Sequence, residues 1–95
     1  MPYPKKIVLH CPDGYNPRLN ALIEEFIRDG VGYVGVVGKD CAKIEQIIDE
    51  IIVGDGSRGY FMLTVSHPGM TVQDAITEAG YLATSVDGDV HVVDA

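Results

Sequence analysis

The chain has 95 residues, 46% of them hydrophobic, which suffices for one core and is too short for two. A formal net charge of −7 and the lack of any basic cluster weigh against nucleic acid and anionic membrane surfaces as partners. No stretch is apolar for long enough to span a bilayer or to form the core of a signal peptide, and two cysteines without a secretory signal point to a reducing cytoplasm.

Residues 7–9, Ile-Val-Leu, are consecutively apolar, as in a strand covered on both faces of a parallel sheet. Asn16 and Pro17 then read as the cap and first position of a helix. Leu19, Leu22, Ile23, Phe26 and Ile27 follow on one helix face, and Gly30 stands where a left-handed residue ends such a helix. Residues 33–37 predict a second buried strand, whose interruption by Gly32, Gly35 and Gly38 suggests a helix lying close over it. Asp40 is placed to cap a second helix with the stripe Ile44, Ile47, Ile48, Ile51 and Ile52.

The glycine-rich run 54–59 lies after a helix and before a strand, the wrong order for a phosphate cradle, and reads as a connector. Residues 60–66 alternate, with Phe61, Leu63 and Val65 on one side and Met62, Thr64 and Ser66 on the other, as expected of a strand with one less buried face. Thr71 and Asp74 have the spacing of a capping box ahead of a third helix, with Val72, Ala75, Ile76 and Ala79 inward and Gly80 at its end. Residues 82–86 and 89–94, joined by Asp87-Gly88, read as a hairpin. The expectation is a single α/β domain over residues 1–95, three-layered and Rossmann-like or flavodoxin-like. Its five-stranded, mostly parallel sheet has order 2-1-3-4-5, with only the last strand antiparallel. Helix one covers one face, and helices two and three cover the other.

Ligands of open α/β sheets sit at the carboxyl ends of the strands, where strand order reverses. His10, Cys11, Asp13 and Tyr15 follow the first strand, Asp40 and Cys41 the second, and His67 the third, so these seven are the ligand-binding candidates. None is assigned a catalytic role. A metal site is not expected, because His10 and Cys11 are strand neighbours facing opposite ways and no Cys-x-x-Cys or His-x-x-x-His pair is present. No cofactor is expected either, since no dinucleotide fingerprint follows the first strand. Both cysteines are also the size of small buried hydrophobes, although Cys41 at a helix start is placed for thiolate character.

Over residues 5–26, a strand, Cys11, Gly14 and a following helix resemble the phosphocysteine subunits of bacterial sugar phosphotransferase systems. That resemblance implies an anion loop led by Cys11. Pro12 and Pro17 depart from it by removing amide donors, and Asp13 by adding a negative charge, so membership is not assigned. Function therefore divides into two classes. The first is a non-enzymatic binding or regulatory module, acting through self-association or through a small-molecule or protein partner. The second is a small enzyme or group carrier using Cys11 or His67. The first is preferred because a catalytic domain this short ordinarily carries a motif. A homodimer is expected, formed through the face of strands three to five or the outer edge of the last strand.

Overall fold

The computed structural model describes residues 3–54, 62–82 and 90–94. Along the chain the elements are β1 (Lys6–Cys11), α1 (Arg18–Arg28), β2 (Tyr33–Gly38), α2 (Cys41–Val53), β3 (Leu63–Ser66), α3 (Val72–Leu82) and β4 (Val90–Asp94). Ile7, Val8 and Leu9 are wholly buried. The reason is that β1 is interior, paired in parallel with β2 on one side and β4 on the other. β3 lies parallel to β2 at the far edge. The result is an α/β domain with a parallel sheet and three helices.

Two features of the expected topology are corrected. The sheet has four described strands in the order β3-β2-β1-β4, not 2-1-3-4-5. β3 joins beside β2 rather than beside β1, and β4 inserts on the free side of β1. Right-handed crossovers permit either placement. The final strand is also parallel to its neighbour rather than antiparallel. Most of the expected fourth strand and the Asp87-Gly88 turn lie outside the described residues, while Leu82, its first residue, belongs to α3. Gly80 likewise stands inside α3 rather than ending it.

The helices divide differently from expectation. Leu19, Ile23 and Phe26 of α1 and Ile44, Ile48 and Ile52 of α2 share one cluster with Ile7, Leu9, Val34 and Val36. Ala75 of α3 packs with Val8 and Val37 on the other face, and Ala79 packs with Tyr33. So α1 and α2 lie together, and among the described residues α3 is the only helix on the opposite face. Met62, expected on a half-covered face, is buried with α1 and α2.

Local chemistry explains the element ends. The Asn16 carboxamide accepts the Arg18 amide at 2.9 Å, a local turn that leads the chain into α1, whose N-cap is Pro17 rather than the expected Asn16. Gly30 takes φ +79°, its amide bonds Ile27 O and the Val31 amide bonds Phe26 O, a Schellman ending. Thr71 and Asp74 exchange the two capping-box bonds at 3.1 and 3.3 Å. Asp40, by contrast, is left-handed at φ 59° and makes no side-chain cap to α2. Gly38, at φ +117°, lies so close to the Cys11 carbonyl that a side-chain carbon there would collide with backbone. Close approach at Gly35 comes from side chains rather than from a helix: a Cβ there would stand 2.9 Å from Tyr33 Oη and 3.0 Å from His67 Nε2.

Candidate functional site at the carboxyl ends of the strands

The corrected order moves the reversal point. Strands two and three extend from one side of β1 and β4 from the other, so the crevice lies between the carboxyl ends of β1 and β4. His10 and Asp94 are register partners across these strands and project to the same face. Their side chains meet there, with His10 Nδ1 3.0 Å from Asp94 Oδ1. The imidazole is about one-third exposed and the carboxylate mostly so, at 33% and 81%. Such a bond orients the ring and leaves Nε2 as its remaining polar atom.

The loop after β1 is built on one backbone oxygen. The Cys11 carbonyl accepts the amides of Gly14, at 3.2 Å, and Lys39, at 3.0 Å, which joins the first and second carboxyl-end loops. Asp40 folds over Gly14, whose φ is +85°; a Cβ at Gly14 would come 2.6 Å from Asp40 Oδ2. Tyr15 donates its hydroxyl proton to Asn20 Oδ1 at 3.1 Å, and the Lys43 ammonium stands 6.0 Å from its ring centre. Asp13 is exposed in the turn.

The two thiols lie on the other side of this chemistry. Cys11 and Cys41 are buried in the cluster under α1 and α2, both as free thiols. Burial, with the neighbouring Cys41, pushes the Cys11 thiol up to about 11, so it is protonated at neutral pH. His67 is also buried, at 4% exposure, with Nε2 3.5 Å from Tyr33 Oη. It follows β3, two strands away from β1. The candidates therefore divide into separate groups: His10 at the crevice, Tyr15 with Lys43, Asp40 over Gly14, the two thiols in the core, and His67 beneath Tyr33. Among the described residues, no group of three or more His, Cys, Asp or Glu could hold a metal ion. No described helix is long and apolar enough to cross a membrane.

A groove of about 300 Å³ opens beside the crevice, lined by Asn16, Arg18, Leu19, Leu22, Glu25 and Asp94 among others. Sequence reasoning missed both Asp94 and this flank of α1. Asp94 becomes significant only once β4 is known to run parallel to β1. Arg18 and Glu25 read simply as the wet side of an amphipathic helix. Compared with family models, curated proteins and solved structures, the chain matches none. The strand order coincides with the first four strands of the 3-2-1-4-5-6 doubly wound sheet. That is a statement about architecture and carries no activity.

Proposed function

We propose that this protein is a small, cytoplasmic, non-enzymatic binding module that acts by self-association. The observation that supports it is the open β4 side of the molecule. No described strand pairs with the outer edge of β4, Val92 on that strand is 42% exposed, and the groove between α1 and Asp94 adjoins it. An unpaired edge and an apolar-walled groove side by side are surfaces that a closed two-fold assembly buries. The enzyme or carrier reading loses support because the nucleophile it would use, Cys11, is buried and protonated, and His67 is buried beside Tyr33. Net charge of −7 favours neither nucleic acid nor anionic membrane as the partner. Sedimentation equilibrium at micromolar concentration tests the proposal. A species of twice the 10.3 kDa chain mass supports it, and a monomer overturns it.

A second reading rests on the His10–Asp94 pair. A small ligand could occupy the β1–β4 crevice with its polar group on His10 Nε2. Chemical-shift mapping with a metabolite panel distinguishes it: responses at His10 and Asp94 support this reading, and silence there removes it.

A further inference from the structure

We infer that the second copy docks through the outer flank of α1, helix against helix and antiparallel. This rests on the self-association proposed above and assigns its surface. Arg18, Ala21, Leu22 and Glu25 lie on one stripe of α1, at the spacing of a single helix face, and all four line the groove. Leu19, Ile23 and Phe26 are turned into the protein's own core, whereas Ala21 is exposed and Leu22 only half-buried.

The stripe is complementary to itself. Arg18 and Glu25 are equidistant from the midpoint between Ala21 and Leu22. A two-fold axis through that midpoint sets Arg18 of one copy opposite Glu25 of the other, twice over. It also sets the small Ala21 opposite the larger Leu22, so that one side chain fills the space the other leaves. The charges are available for this. Among the described residues the Arg18 side chain has no ion pair or hydrogen bond. Glu25 meets Arg28 at 3.7 Å in an exposed pair within the same helix, a weak contact that an intermolecular guanidinium can replace. The groove beside the stripe, closed on its far side by Asp94, gives the second helix its seat.

The test is a charge swap followed by sedimentation and melting. Arg18→Glu and Glu25→Arg each place like charges opposite one another at two symmetric positions, and each is expected to weaken the dimer by about tenfold or more at low salt. The double variant Arg18→Glu/Glu25→Arg restores both pairs and is expected to return to within about threefold of the parent. The sites are at the surface, so melting temperatures should stay close together and separate docking from folding. As a second measurement, Ala21→Cys beside the axis is expected to give a disulfide-linked dimer under mild oxidation, with buried Cys11 and Cys41 unreacted. A dimer unaffected by the single charge changes and not linked through position 21 would overturn the α1 interface while leaving self-association standing. A monomer whose Arg18 and Leu22 resonances move with acetate or phosphate would overturn both and assign the groove to a small anion.

Discussion

His10 and Asp94, 84 residues apart in sequence, are joined by a 3.0 Å bond between imidazole Nδ1 and carboxylate Oδ1. The contact ties the end of β4 to the end of β1, at the position where the strand order reverses. Because both groups are partly exposed, its worth is bounded at under about 1 kcal/mol. Asp94→Ala is therefore expected to loosen β4 rather than unfold the domain. Amide exchange at Val92 and Val93 should quicken several-fold, about threefold or more, with β2 unchanged. Equal exchange rates in variant and parent would show the pair to be incidental.

Gly35 gives the sharpest packing prediction. An added methyl meets Tyr33 Oη at 2.9 Å and His67 Nε2 at 3.0 Å, and both rings are buried. Gly35→Ala should cost about 1–3 kcal/mol in denaturant unfolding. Tyr33→Phe removes the nearer atom, so the cost of Gly35→Ala should shrink when measured in that background. A double-mutant cycle with no coupling would locate the strain elsewhere.

The Cys11 thiol predicts behaviour in base. Its folded value, about 11, lies above the ordinary 9.0, because burial and Cys41 disfavour the thiolate. The folded state thus keeps a proton that the unfolded chain loses first. The stability this represents is fully present below pH 9 and is lost as pH rises towards 11. Burial raises Tyr33 in the same direction, aided by Glu78. Cys11→Ala should flatten part of this alkaline fall in melting temperature. Iodoacetamide should modify the native thiol far more slowly than the thiol in denaturant, and equal rates would contradict the burial.

Asp29 works in the opposite sense. Its carboxylate accepts the Tyr3 amide at 3.0 Å, and this bond, with help from Arg28, holds it below the usual aspartate range. Its contribution is present above the unfolded value and is lost as pH falls through the lower folded one. Asp29→Asn should reduce the acid dependence of melting. It should also free the segment before β1, whose Tyr3 ring meets Phe26 edge-on at 4.8 Å. Unchanged Tyr3 resonances in the variant would refute that coupling.

The helices were legible in the sequence because their signals are local. Leu19, Ile23 and Phe26 repeat at helical spacing, Gly30 provides the left-handed ending, and Thr71 with Asp74 forms its capping box within four residues. Strand order was not legible, since nothing local says whether the strand after α2 joins β1 or β2. The Asp-Gly pair suggested a reversal of direction, yet 90–94 runs parallel to β1. The same limit hid the site. His10 was visible as a polar residue ending a buried strand, but its partner Asp94 emerges only from the register of β4. Gly35 read as making room for a helix, because a run of consecutive apolar residues does not reveal that Tyr33 reaches along the strand towards His67.

The placement of β4 also has a consequence for the order of assembly. Protein chains leave the ribosome amino end first. β1 can recruit β2, and β2 can recruit β3, while later residues are still being made. The other side of β1 stays unpaired until 90–94 arrive, although Val8 and Leu9 are among the most buried residues of the finished protein. A nascent chain halted after α3 would hold the α1–α2 layer and three of the four described strands, with backbone amides and carbonyls of β1 open to any extended segment nearby. Synthesis of β4 thus closes the open side of β1 and, among the described strands, moves the unpaired edge outward to β4 itself.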